Sequence, residues 1–227
     1  MPEFSIELDI AEMEKAGLHL GHKISKNHPK MAPYLAGVKG TVQLLNLEKT
    51  KEKLLEALKK LRELYLEGKV ILFVGTPFHI KTDLENFCQK YGFPYQTERW
   101  IGGTFTNFEE IKKRVEYLKE LENLTKSDDF QKYTKKERKE IEEKIQTLNK
   151  KFRGLKNLER LPDAVFVFEP RKDEGAIREA KRKQILKFAV CDTNCDPTGI
   201  EYVIPASNNS FSSIRYLIAK IEEALKP

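Results

Sequence analysis

Cysteine is scarce: Cys88, Cys191 and Cys195 are the only three among 227 residues, an odd number that does not build a disulfide framework. A reducing compartment is expected. Long apolar runs are missing too, since the longest is Val70-Ile71-Leu72-Phe73-Val74 and a membrane-spanning helix needs about 20 residues. The opening Met1-Pro2-Glu3-Phe4-Ser5-Ile6-Glu7 is acidic, with no basic or apolar targeting segment, so neither secretion nor a membrane span is expected. Also absent are the phosphate-binding strings G-x-G-x-x-G and G-x-x-x-x-G-K-[ST], the G-x-S-x-G elbow and the H-E-x-x-H helix. The usual marks of nucleotide binding, acyl transfer and zinc proteolysis are therefore lacking.

What is present is a core's worth of apolar residues under a charged surface: 40% hydrophobic and 33% charged, a balance that excludes a disordered chain. Lys and Arg number 41 against 35 Asp and Glu, leaving a net charge of +6. Such an excess favours a polyanionic partner without identifying one.

Between Glu48 and Leu66, Leu54, Leu55, Leu58, Leu61 and Leu64 share one helical stripe, and Gly68 closes the helix. The run Val70 to Val74 then reads as a strand buried on both faces, Gly75-Thr76-Pro77 as a break and Phe78 to Tyr91 as a second helix. The same grammar returns later, with strands at Ala164 to Phe168, Phe188 to Cys191 and Tyr202 to Ile204, and helices at Glu174 to Lys183 and Ile214 to Leu225. Alternation of this kind predicts an α/β, flavodoxin-like, doubly wound parallel sheet. The body is expected to comprise residues 1–105 and 159–227.

Residues 106–158 interrupt that alternation. Two charged segments carry narrow apolar seams, Phe108, Ile111, Val115, Leu118 and Leu121 in one, Ile141, Ile145, Leu148, Phe152 and Leu155 in the other. Each opens on a capping-box pattern, Thr106 with Glu109 and Thr134 with Glu137. The expectation is a protruding antiparallel α-helical hairpin that turns near Ser127-Asp128-Asp129. Its basic groups, including Lys112-Lys113-Arg114, lie among glutamates and read either as a solvated face or as contacts to something acidic.

Chemistry-bearing residues are few. Asp192 and Asp196, after a strand end, could hold a divalent metal for an enzyme acting on a phosphorylated substrate with help from His22, or could cap a tight turn. Cys191 and Cys195 make half a zinc site, without a second pair. Gly75-Thr76 and Gly102-Gly103 could each cradle a phosphate, and His19 and His22 sit between glycines as structural histidines do. Lys23, Lys26, Asn27, His28 and Lys30 form a basic, amide-rich segment suited to phosphate contacts. Arg99, Trp100 and Asn107 gather at the hairpin root, Trp100 expected beneath it and the other two free. A protein adaptor that docks through the hairpin seam is a third reading.

Separated strings along nearly the whole chain resemble the ribosomal protein S2 family of the small ribosomal subunit. They are Ala16-Gly17-Leu18-His19-Leu20-Gly21-His22, Pro29-Lys30-Met31, Leu45-Asn46-Leu47-Glu48-Lys49-Thr50 and Leu72-Phe73-Val74-Gly75-Thr76. Further on come Arg99-Trp100-Ile101-Gly102-Gly103-Thr104-Phe105-Thr106-Asn107-Phe108, Leu161-Pro162-Asp163-Ala164, Asp192-Thr193-Asn194-Cys195-Asp196-Pro197 and Tyr202-Val203-Ile204-Pro205. The resemblance implies a non-catalytic constituent, with no cofactor or metal, that binds small-subunit rRNA at the head and body junction and supports translation. It also implies neighbouring ribosomal proteins as partners, ribosomal protein S1 among them, and a cytoplasmic or organellar ribosome as its place. On that basis Lys23, Lys26, Asn27, Lys30, Arg99, Asn107, Lys112, Lys113 and Arg114 are the expected rRNA contacts. Three segments depart from the family's usual pattern: Pro77-Phe78-His79 where a lysine is common, Gln184-Ile185-Leu186 in place of a Gly-Ile-Pro turn, and Ala206-Ser207-Asn208-Asn209-Ser210 in place of a Gly-Asn-Asp-Asp segment.

Overall fold

A computed structural model describes residues 6–226, the side chain of Asp129 aside, so the acidic opening Met1–Ser5 lies outside the described residues. In chain order, α1 (Ile10–Lys15) leads to a small antiparallel ribbon of β1 (Leu20–Lys23), β2 (Leu35–Lys39) and β3 (Val42–Leu45), with β3 in the middle. Gly40, at φ +64, supplies the left-handed residue between β2 and β3 that a side chain would resist.

The remaining elements follow: α2 (Leu47–Leu66), β4 (Ile71–Val74), α3 (Phe78–Tyr91), β5 (Tyr95–Gln96), α4 (Phe108–Lys126), α5 (Lys135–Phe152), β6 (Ala164–Val167), α6 (Glu174–Arg182), β7 (Leu186–Cys191), β8 (Tyr202–Pro205) and α7 (Phe211–Leu225). The five strands from β4 onward form one parallel sheet in the order β5-β4-β6-β7-β8. The expected α/β class and parallel sheet flanked by helices are present. The short β5, the ribbon and α1 were not anticipated.

Strand alternation sorts the core into two layers. Ile71, Phe73, Phe166, Phe188 and Ile204 face α2, α3 and α7, while Leu72, Val74, Val165, Val167 and Ala189 face α6 and the inner ends of α4 and α5. Every side chain of β4 is fully buried, as its unbroken apolar run predicted. The stripe of α2 is likewise realised, with Leu54, Leu58, Leu61 and Leu64 buried, and Asn46 caps the helix by accepting from the Lys49 N–H at 3.2 Å.

α4 and α5 pack on each other through Ile111, Val115 and Leu118 from one and Ile145, Leu148 and Phe152 from the other. Around that seam the Glu122 carboxylate accepts from Asn149 at 2.7 Å and from Lys156 at 2.7 Å, and Lys144 lies 5.0 Å from the centre of the Tyr117 ring. Gly154 lets the chain return to the sheet, because a Cβ there would collide with the Tyr95 carbonyl oxygen and ring. The capping box of Thr134 and Glu137 forms as expected, both halves present. The one expected at Thr106 and Glu109 does not: α4 starts after Asn107 without a side-chain cap, because the Thr106 hydroxyl is taken elsewhere. At the end of α6, Gln184 holds φ 55, the left-handed conformation that the more usual glycine adopts without strain.

Candidate nucleic-acid interface

Two polar braces position the surface on which the basic residues sit. The first is the turn Asp192-Thr193-Asn194-Cys195-Asp196 that leaves β7. Thr193, fully buried, accepts the His22 N–H on its hydroxyl at 3.0 Å and the His28 N–H on its carbonyl at 2.8 Å, so one residue ties the ribbon and the following segment to the sheet. Gly21 makes the approach possible, since a Cβ there would overlap the Thr193 methyl. Asp192, also fully buried, accepts from Asn209 at 2.7 Å and from the Thr193 N–H at 2.5 Å, with the His22 ring 3.7 Å away. Burial pushes its carboxyl above the usual range, opposed by His22 and the Thr193 donors. Asp196, by contrast, is exposed and held down to about 2 by the Thr198 hydroxyl and N–H and by Lys30 at 3.1 Å. Both carboxylates thus hold the turn, its capping role among the two readings. Among the described residues no group of three or more His, Cys, Asp or Glu is placed to hold a metal ion. Cys191 and Cys195 are free buried thiols 3.3 Å apart.

The second brace is Glu179, on the buried face of α6. Its Oε1 accepts from the Trp100 indole N–H at 3.0 Å and the Gly103 N–H at 2.8 Å. Its Oε2 accepts from the Phe105 N–H at 3.0 Å, the Thr106 N–H at 3.1 Å and the Thr106 hydroxyl at 3.0 Å. Burial acts to raise this carboxyl, but the ring of donors overrides it and leaves the group below its ordinary value. One carboxylate therefore shapes the whole 100–106 loop. Trp100 is half-buried against Gly175, where a Cβ would strike its ring, and Arg99 and Asn107 emerge exposed on either side, as expected.

The expected contact residues fall into two groups. Lys23 is exposed at the end of β1 and Lys26 in the short 3-10 turn that follows it; Arg99 and Arg114 are exposed and Lys112 is half-buried near the root of α4. None of these five side chains has an ion pair within the chain among the described residues. Lys30 is engaged with Asp196 and Thr198, Lys113 with Glu110 at 2.7 Å, and the Asn27 amide donates to Gln43 at 2.8 Å while its oxygen is buried without a partner among the described residues. Asn27 thus points into the ribbon rather than away from it.

The Gly75-Thr76 loop is not left open for a phosphate. Thr76 donates its N–H and hydroxyl to buried Asp173, at 3.3 and 2.9 Å. Desolvation lifts the Asp173 carboxyl to about 6, against the pull of the Thr76 donors. The native state therefore holds the proton more tightly than the unfolded chain, and stability falls as pH rises from about 4 through 6, by roughly 3 kcal/mol in all. Asp173→Asn carries no such charge, so urea unfolding of both proteins should show the variant gaining that amount on the wild type between pH 4 and pH 7; parallel pH curves would refute the assignment.

No sequence motif pointed to Glu179; its only local signal is a glutamate on the otherwise apolar face formed by Ala176 and Ala180. With the strand ends occupied by their own braces and basic side chains turned outward, the molecule is an α/β protein that presents a braced, basic surface. The family model described as Ribosomal protein S2 matches residues 13–227, and the chain belongs to that family. Relatives named small ribosomal subunit protein uS2 include that of Chloroflexus aurantiacus, 41% identical over 215 residues covering 95% of this chain and 90% of the relative. Those of Chloroflexus aggregans and Roseiflexus sp. are 40% and 39% identical, covering 95% and 92% of this chain and 90% and 80% of the relatives. The family is structural and ribosomal, so the metal-dependent enzyme is set aside. Among the described residues no helix is long and apolar enough to cross a membrane.

Proposed function

We propose that the chain is a resident constituent of the small ribosomal subunit in the cytoplasm or an organelle, bound to small-subunit rRNA at the head and body junction. The observation that carries this reading is the set of cations without an ion pair among the described residues, Lys23, Lys26, Arg99, Lys112 and Arg114, mounted on two internally braced roots. Lysines and arginines on a rigid frame contact phosphates at small conformational cost and release counterions on doing so. Asn107 and Lys113 extend the second group, while Asn27 and Lys30, held by internal bonds, shape the first.

Residues 106–158 act in this reading as an antiparallel hairpin that projects from a body of residues 1–105 and 159–227 and lays its basic side along RNA. Neighbouring small-subunit proteins, ribosomal protein S1 among them, dock around the body and the hairpin. Replacing Lys112, Lys113 and Arg114 together by glutamate should lower occupancy in small subunits about tenfold at moderate salt, because three phosphate contacts become repulsions. Quantitative mass spectrometry of purified subunits reads the occupancy, with circular dichroism checking the fold. Unchanged occupancy would show that this face is merely solvated.

A further inference from the structure

We infer that the cleft between the Asp192–Asp196 turn and α6 receives a single unpaired nucleotide of the bound RNA, base inward. This rests on the RNA-binding reading and adds to it a specific receptor for one residue of the RNA.

The cleft holds about 220 Å³, and its apolar lining is Pro170, Ile177, Cys195 and Ile200. An apolar cleft of that size suits the face of one base. The polar part of the lining differs in character: the Glu174 and Asp196 carboxylates are paired with Arg178 and Lys30, while Arg171 and Asn194 have side chains with no hydrogen-bond partner among the described residues, beside the His28 ring. A base edge carries both donors and acceptors, which the Asn194 amide can match, and the phosphate that follows is a partner for the Arg171 guanidinium. Lys30, bridged to Asp196 at 3.1 Å, brings the basic segment of residues 23–30 to the mouth of the cleft. An open cleft of this size holds a free nucleotide only weakly, so occupancy depends on RNA already tethered to the lysines, which raises the local concentration of the base.

Cys195 in the apolar lining provides a direct reporter. Under ultraviolet light a thiol adds across the C5–C6 double bond of a stacked pyrimidine: sulfur bonds to C5, the thiol hydrogen goes to C6, and no atom is lost. Small subunits carrying the chain would be irradiated, digested and examined by mass spectrometry. In parallel, Ile177→Trp, which fills the cleft, would be compared with the wild type by 2′-hydroxyl acylation of the rRNA. The inference predicts a nucleotide adduct on the Cys195 peptide, or for a purine occupant no adduct there but increased acylation at one nucleotide in the variant. Adducts confined to other peptides, together with an acylation pattern unchanged by Ile177→Trp, would overturn it while leaving RNA binding intact. A chain absent from the subunit fraction would overturn the RNA-binding reading as well, so the two failures are distinguishable.

Discussion

Glu179→Gln is expected to destabilise the folded chain by about 4 kcal/mol, because an amide nitrogen would face backbone or indole donors wherever it is placed. If the nitrogen takes the Oε1 position it opposes Trp100 and Gly103; if it takes Oε2 it opposes Phe105 and Thr106, whose hydroxyl alone can rotate to accept. Two partly or fully buried N–H groups are stranded in either case, each a loss of roughly 1–3 kcal/mol. Equilibrium urea unfolding checks the magnitude, and amide exchange at Gly103, Phe105 and Thr106 checks the cause, since only those sites lose a carboxylate acceptor. A variant as stable as the wild type, with those amides still protected, would mean that Glu179 does not organise the loop. Because Arg99 and Asn107 flank it, the same change should loosen the second group of proposed RNA contacts.

Gly21→Ala is expected to cost about 3 kcal/mol, at the upper end for overpacking, because both obstacles to the new methyl are fixed. One is the methyl of fully buried Thr193; the other is the Gln43 carbonyl oxygen of β3, 2.8 Å from where the Cβ would sit. Neither is the end of a flexible side chain. Relief requires the ribbon to move off the turn, which also breaks the bond from the His22 N–H to the Thr193 hydroxyl. Thr193→Ser in the Gly21→Ala background should restore part of the loss, since it removes the offending methyl and keeps the hydroxyl. Thermal or urea unfolding of the single and double variants decides it; a single variant within 0.5 kcal/mol, about the range of a neutral surface change, would show that the ribbon is not clamped there.

The legible parts of the fold were those where one physical signal spans many residues. The leucine stripe of α2 and the unbroken apolar run of β4 both follow from burial, and burial repeats along the chain at a fixed period. The ribbon escaped because its strands are four or five residues long, carry exposed Leu20 and Val38, and bury little beyond Gln43 and Leu45. At two residues, β5 is too short to show any period. The two T-x-x-E strings make the limit of local reading plain. At Thr134 nothing competes and the reciprocal cap forms; at Thr106 a carboxylate 73 residues away offers a buried, charged acceptor, which a solvent-exposed cap does not match.

For the candidate site the same division holds. Lys23, Lys26, Arg99 and Arg114 could be named from the sequence because an exposed cation in a basic segment is visible there. Whether a cation is already neutralised is a tertiary property: Lys30 meets Asp196 across 166 residues, and Asn27 turns to Gln43. The departures at Asn208 and Asn209 also became intelligible only in three dimensions, where Asn209 joins Asp192 to the His22 ring and Asn208 donates to the Phe168 carbonyl at 3.3 Å.

The most direct test of the central claim is sedimentation of the tagged chain from a native lysate through sucrose gradients at low and high salt, with each fraction probed for small-subunit rRNA. Residence in the subunit predicts co-migration with the small subunit and with polysomes at low salt, weakened by a stringent salt wash as phosphate contacts give way. A chain that migrates free at low salt in cells with intact ribosomes would contradict it.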